Sequence, residues 1–262
     1  MKLDLHVHTD RSDGKYAPDE VLRRAAAAGL DAIAVADHDL DPVLVPGLRE
    51  VDGHAIRVIA AAEVSGHHDG REYHLLVYFP GDPPPEARTF LRARAASRSR
   101  RFDEAMARLG VEARASAEAT RGEIALTRFH MARELESSGR VRRAHDAWTL
   151  LGADNVPLID LAFVDAIRIA RGWGALTSWA HPPLADANRH LAVFVAAGLH
   201  AVEASRPSHD RATRNGLSRL AKRFGILVTG GSDWHGWWEG ELGLYRFEHD
   251  PAQRFMSRLD AA

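Results

Sequence analysis

The feature that most limits how this chain can fold is a repetition. Short apolar runs recur along it, and nearly every one carries or ends in a histidine or an acid. Residues 2–8 alternate apolar and polar side chains, as a half-buried strand does, and they place His6 and His8 two positions apart on one face. Asp13-Gly14 follows in the next loop. Residues 31–36 run into Asp37-His38-Asp39, residues 56–64 carry Glu63, and residues 72–79 carry His74. Further on, residues 175–179 lead to His181-Pro182. Residues 226–229 lead through Gly230-Gly231 to Ser232-Asp233-Trp234-His235, where Asp233 and His235 repeat the two-apart spacing. Any one of these residues alone reads as an ordinary loop polar group or a satisfied buried one. Their recurrence at successive strand ends points to a single rim that gathers them.

Between the runs lie helix signals. Pro18-Asp19-Glu20 suits a helix start, because proline fits the first turn and acids favour the positive end of the helix dipole, and Gly29 suits its stop. Strands alternating with helices imply parallel strands joined by crossover helices, in a barrel or an open sheet. The proline-rich stretch at 80–85 interrupts the alternation, and residues 86–152 shift to Arg, Ala and Glu. The expectation is therefore an α/β domain formed by residues 1–85 and 153–262, with 86–152 as a helical insertion or cap. Most of the arginines there (Arg88, Arg92, Arg94, Arg98, Arg100, Arg101, Arg108) are expected on a solvated helix face.

Composition excludes several classes. There is no cysteine, so neither disulfides nor thiolate metal sites are possible. A net charge of -2 gives no general attraction for nucleic acid. No apolar stretch is long enough to span a bilayer, and residues 1–4 lead into a strand rather than a signal core. A cytoplasmic chain with no membrane association and no stable protein partner is expected.

Six histidines, two aspartates and one glutamate make up the candidate ligand set: His6, His8, Asp13, His38, Glu63, His74, His181, Asp233 and His235. That many nitrogen and oxygen donors suits two or three divalent cations of the Mn, Fe or Zn kind. The ordered motifs, from His6-Val7-His8-Thr9 to Gly231-Ser232-Asp233-Trp234-His235, resemble the PHP (polymerase and histidinol phosphatase) superfamily over nearly the whole chain. The likeness is to its stand-alone branch, which includes nucleotide phosphoesterases. Arg128-Phe129-His130 matches the Arg-x-His pattern of that branch's helical insertion, whereas Ala36 stands where the family usually has threonine. The resemblance implies a distorted (β/α)7 barrel with a helical insertion. It also implies three metals: one on His6, His8, Glu63 and Asp233, a second on Glu63, His74 and His181, and a third on Asp13, His38 and His235.

The expected activity is hydrolysis of a phosphoric ester by a hydroxide shared between cations. The substrate would be a small-molecule phosphate ester, a nucleotide or a short oligonucleotide. Asp233 would orient or deprotonate the nucleophile. Arg128, His130 and His209 would contact phosphate, with His209 also able to protonate the leaving oxygen. Of the tryptophans, Trp237-Trp238 is the expected stacking pair for a base, and Trp148, Trp173 and Trp179 are expected in the core. Two other readings compete. An amidohydrolase acting on C–N bonds would often bridge its metals with a carboxylated lysine, and Lys2, Lys15 and Lys222 are badly placed for that. A non-catalytic metal-binding PHP module would be expected to have lost ligands, and all nine positions are filled.

Overall fold

The computed structural model describes residues 1–237 and 240–262, so Trp238 and Glu239 lie outside the described residues. Eight strands form one sheet: β1 (Leu3–Val7), β2 (Ala32–Val35), β3 (Gly47–Val51), β4 (His54–His68), β5 (Arg71–Tyr78), β6 (Leu176–Trp179), β7 (Ala201–Ser205) and β8 (Leu227–Gly230). Their order is β1-β2-β4-β5-β6-β7-β8, with β3 paired to β4 off this path. The ends of the path approach each other beyond β8. Val7 bridges Trp234, the His8 amide donates to the Trp234 carbonyl at 2.9 Å, and the Asp233 amide donates to the His6 carbonyl at 2.8 Å. The motif after β8 is thereby tied to the motif of β1.

The sheet is mixed, which corrects the expectation of parallel strands throughout. β1-β2, β2-β4, β6-β7 and β7-β8 are parallel, but β3-β4, β4-β5 and β5-β6 are antiparallel. For the first two of these antiparallel pairs the reason lies in two Asp-Gly pairs. Asp52-Gly53 has φ of 50° and 79°, and Asp69-Gly70 has 48° and 73°. Successive positive φ values make the tight hairpin turn whose twist matches that of the flanking strands. β3, β4 and β5 are thus consecutive hairpins with no crossover helix between them.

Helices α1 (Pro18–Ala27), α5 (Phe163–Gly172), α6 (Leu184–Ala197), α7 (Arg211–Phe224) and α8 (His249–Asp260) flank the sheet. α1 begins with proline in its first turn followed by Asp19 and Glu20, and Gly29 just beyond its end adopts φ 69°. Phe255 and Met256 of α8 pack on Ile59, Ala61, Leu76 and Tyr78. Side chains two apart on a strand share a face, so the parity that points Ile59 and Ala61 into this core also points Glu63, and that of Leu76 and Tyr78 also points His74. The other face of the sheet packs on α5, α6 and α7 through Phe163, Ile167, Phe194 and Leu217.

Within residues 86–152 run most of α2 (Pro85–Arg108), all of α3 (Ala117–Thr120) and α4 (Arg128–Ser137), and a 3₁₀ turn at Ala144–Thr149. Phe102, Met106, Met131, Leu135 and Ala147 form a hydrophobic cluster of their own there.

Candidate metal centre

Glu63 stands at the middle of the centre. Its Oε1 lies 3.3 Å from His6 Nε2, 3.2 Å from His74 Nδ1 and 3.0 Å from His181 Nε2. Its Oε2 lies 3.4 Å from His8 Nε2 and 3.0 Å from His38 Nδ1. Sheet register explains the contact with His74: Glu63 pairs with Leu76, so His74 is the diagonal neighbour on the same face. His181 comes within reach because the Ala180 amide donates to the His74 carbonyl at 2.9 Å.

The remaining candidates gather on either side. Asp233 Oδ1 is 3.4 Å from His6 Nε2 and 3.2 Å from His8 Nε2. Asp13 lies 3.7 Å from His8, 3.5 Å from His38 and 3.3 Å from His235. All nine predicted residues therefore share one cluster, although the spacing differs from the sets implied by resemblance. His8 groups with Asp13, His38 and His235 as well as with His6 and Glu63, and His38 groups with Glu63 and His74.

The donor set fits divalent cations. His6 and His8 turn their Nε2 atoms toward each other at 3.1 Å, a costly pairing of two imine nitrogens unless a proton or a metal lies on them. Among the described residues, Asp13 Oδ1, His38 Nδ1 and Glu63 Oε2 are buried with no well-directed hydrogen bond, only the close ring and carboxylate contacts given above. Burial disfavours charge on Glu63, Asp13 and Asp233, yet the surrounding imidazoles hold all three well below the usual carboxylate range. The carboxylates act on the rings in return. Burial opposes charge on His235, but Asp13 and then Asp233 carry its pKa up to about 10. Such a cluster demands positive charge, and nitrogen and oxygen donors without sulfur suit Mn, Fe or Zn.

Close approach of the backbone matters as much as the donors. A Cβ on Gly231 would sit 2.3 Å from the His6 Cβ, and one on Gly14 would sit 2.6 Å from the His8 carbonyl oxygen. Asp39, His181 and Asp233 adopt positive φ (48°, 34° and 57°), a conformation that non-glycine residues keep only where their surroundings enforce it.

Several supporting residues escaped the sequence reading. Glu203, buried on β7, places Oε1 3.1 Å from His6 Nδ1 and accepts the His181 amide on Oε2 at 2.8 Å. The single acid in the apolar run 201–204 was its signal. Asp37 accepts from the Thr9 amide, the Thr9 hydroxyl and the Ser12 hydroxyl, and so braces the loop between His8 and Asp13. Arg206 donates to Asp233 Oδ2 at 2.9 Å.

A cavity of about 1000 Å³ opens over Asp13, His38, His74, Asp233 and His235. Arg98, Arg101 and Arg128 line it from the helical insertion, and Arg206, Pro207 and Ser208 line it from the loop after β7. Arg94, Arg98 and Arg101 are buried, which corrects the expected solvated face for these three. Arg98 donates to Asp39 at 2.7 Å, and Arg101 pairs with Glu72. Arg88 and Arg108 stay toward the surface in pairs with Asp41 and Glu104. Arg128 makes a two-pronged bond to Glu72, at 2.5 and 3.2 Å. His130 caps α4, its Nδ1 accepting the Thr127 amide. His209 donates from Nδ1 to the Ala204 carbonyl, and burial lowers its pKa.

Aromatic rings complete the wall. Phe129 and Trp237 stand 5.1 Å apart at 32°, and Trp237 Nε1 donates to the Asp13 carbonyl. Trp179 is buried and Trp173 packs on Phe90, as expected for core residues. Trp148 departs from that expectation, being 51% exposed and lining the cavity. Its place on the 3₁₀ turn sets it at the rim. Of the predicted stacking pair, Trp238 lies outside the described residues.

With this geometry in view, the sequence model of the PHP domain matches residues 4–90, which hold six of the nine clustered residues. That first third of the chain is similar to a PHP domain. Three characterised relatives match most of its length. The phosphoribosyl 1,2-cyclic phosphate 1,2-diphosphodiesterase of Eggerthella lenta is 28% identical, over 90% of this chain and 95% of its own. The 3',5'-nucleoside bisphosphate phosphatase of Chromobacterium violaceum is 27% identical, over 91% and 88%. The 5'-3' exoribonuclease Rnm of Escherichia coli is 26% identical, over 88% and 84%. Among solved structures, an amidohydrolase from Chromobacterium violaceum superposes with a TM-score of 0.78 at 22% identity, over 99% of this chain and 97% of that one. A protein from Bifidobacterium adolescentis gives 0.77 at 24% identity, over 98% and 96%. At these identities the two structures establish a shared fold and nothing further. No helix among the described residues is long and apolar enough to cross a membrane.

Proposed function

We propose that this chain is a PHP-type metal-dependent phosphoesterase acting on a nucleotide or a related small phosphate ester. The observation that carries the reading is the convergence of six histidines and three carboxylates, five of these nine residues lining a cavity whose walls also hold arginines and aromatic rings. His6, His8, Glu63 and Asp233 would hold one cation, Glu63, His74 and His181 a second, and Asp13, His38 and His235 a third. The metal would be Mn, Fe or Zn. Bound divalent cations supply Lewis acidity and lower the pKa of water to about 7.

The protein's own groups do the rest. Glu203 fixes the orientation of His6 and, through the backbone, of His181. Asp233, ionised and held by Arg206, presents an acceptor to the attacking water, and its low basicity suits orientation better than proton removal. Arg128 and Arg101 share one carboxylate, Glu72, so the wall keeps net positive charge facing a phosphate. His209 in its neutral form has Nδ1–H committed to Ala204 and offers Nε2 as an acceptor. That suits a substrate hydroxyl, whereas protonating a leaving oxygen would need the charged ring. Residues 86–152 would act as a cap that roofs the cavity and sets substrate size. The relatives' printed substrates, a ribosyl cyclic phosphate, a nucleoside bisphosphate and RNA, support a ribose phosphate as the shared element.

The test is phosphate release over a panel of nucleoside monophosphates, 3',5'-bisphosphates, cyclic phosphates, short RNA and sugar phosphates, with Mn²⁺ added. Turnover of a ribose phosphate that is lost in Glu63→Gln supports the proposal. Stoichiometric metal with no phosphoester cleaved would overturn it in favour of a binding module.

A further inference from the structure

A second group of metal-capable side chains lies apart from the rim. His68 ends β4, Asp69 begins the turn into β5, and His190 sits in the middle of α6. One donor atom from each lies within 4.8 Å of the others. Five residues of strand separate His68 from Glu63, about 16 Å at a rise of about 3.3 Å per residue. The two groups share no side chain.

The surroundings are apolar. His190 is buried, its ring meets that of His68 edge-on at 4.9 Å, and Phe194 closes against both rings at 5.0 and 6.0 Å. Among the described residues neither ring has a hydrogen-bond partner: His190 Nδ1 stands 3.8 Å from Asp69 Oδ2, and His68 Nε2 stands 3.9 Å from Asp69 Oδ1. These gaps are too long for hydrogen bonds. They are close to the spacing of two donors on a tetrahedral cation, about 3.4 Å for bonds of about 2.1 Å. The nearby acid Asp186, one turn before His190, is already satisfied by Arg71 at 3.1 Å and the Tyr73 hydroxyl at 3.3 Å. That leaves exposed Asp69 as the free carboxylate and as the way in. Each imidazole in its neutral form offers one ring nitrogen lone pair to a cation.

We propose that His68, Asp69 and His190 form a separate site for Zn²⁺ or a cation of the same class, with three protein donors and one position open to water. Imidazole with a single carboxylate is the donor set that such ions prefer over Mg²⁺ or Ca²⁺. Occupancy would clip the β4–β5 hairpin, which carries Glu63 and His74, to α6, whose preceding loop carries His181. The site would then stiffen the frame of the metal centre without touching substrate.

The experiment compares the parent protein with Asp69→Asn and with the double variant His68→Gln/Asp69→Asn. Asn tolerates the positive φ of the turn, so neither change should threaten the fold. After equilibration with Zn²⁺ and removal of excess, elemental analysis should find one more zinc per chain in the parent than in the double variant. Zinc should also raise the parent's Tm by more, while phosphoester turnover by the variants stays unchanged. With Co²⁺ the visible absorption of a tetrahedral site should weaken in both variants. Equal zinc content in the parent and the double variant would overturn the proposal.

Discussion

Glu203 does not line the cavity over the candidate centre, yet it braces the His6 imidazole and the His181 backbone behind it. A carboxylate on the far nitrogen of a ligating histidine fixes its tautomer and raises its basicity, and losing such a partner typically costs about 10–100-fold in metal affinity or activity. Glu203→Gln retains the shape but presents an amide that cannot accept as strongly from His6 Nδ1. We expect weaker metal binding by titration calorimetry and a lower kcat at subsaturating metal, with partial recovery when metal is added in excess. Recovery is the discriminating readout, because general misfolding would not respond to metal. Gly231→Ala should behave differently. Its Cβ would meet His6 backbone and side chain together, so β1 and the loop after β8 must separate. Melting temperature and metal content should fall together, and excess metal should not restore turnover. The gathering of the candidate centre was legible at this scale because histidines and acids at strand ends stand out from an apolar run. Glu203 and Arg206 were harder to see because their roles depend on what lies behind or beside them, which only the folded register decides.

At the scale of elements, the strands other than β3 were legible within a residue or two, except that β4 runs four residues past its expected end, and their directions were not legible. The run from 40 to 55 carried no strong apolar pattern, so β3 went unread. Its side chains are mostly exposed and it pairs with β4 alone, the situation in which burial leaves little imprint on sequence. The turns held the information instead. Gly53 adopts φ 79°, and no atom lies within 4 Å of the point where a methyl group would project from it, so Gly53→Ala isolates the backbone cost of the left-handed conformation. That cost is about 1–2 kcal/mol. Chemical denaturation should register it as a lower midpoint with an unchanged slope, and phosphoester turnover at low temperature should stay at the parent's level. A large loss of turnover would mean that β3 shapes the metal centre as well as the sheet edge. The arginines of α2 teach a related lesson. A helix rich in arginine looks solvated by composition, but Arg94, Arg98 and Arg101 turn to one side, where Asp160, Asp39 and Glu72 receive them. Those acids come from distant parts of the chain, and helix periodicity alone cannot announce them.

At the scale of the whole molecule, on the proposed reading, the sheet would supply the metal centre and the helical segment much of what a substrate would meet beyond its phosphate. Arg128, Phe129 and Trp148 come from that segment, while Trp237 comes from the loop after β8, so the cavity wall forms only when the two parts meet. This division separates chemistry from recognition. A substrate made of sugar and phosphate alone would use the metal centre and the arginines, whereas a base would add contact with the rings. Stacking a base on an aromatic side chain is worth about 1–3 kcal/mol, which is about 5- to 150-fold in an equilibrium. Trp148 is the ring to remove, since it is exposed and supports no core. We expect Trp148→Ala to raise KM for a nucleotide substrate by at least the lower part of that range, with kcat nearly unchanged. The same variant should leave the kinetics of a ribose phosphate without a base at the parent's values. Arg128→Ala should impair both substrates alike, because it acts on the phosphate they share. If Trp148→Ala slowed both substrates equally, the aromatic wall would be holding the cap in place rather than reading a base, and preference for a nucleotide would have to come from the arginines alone.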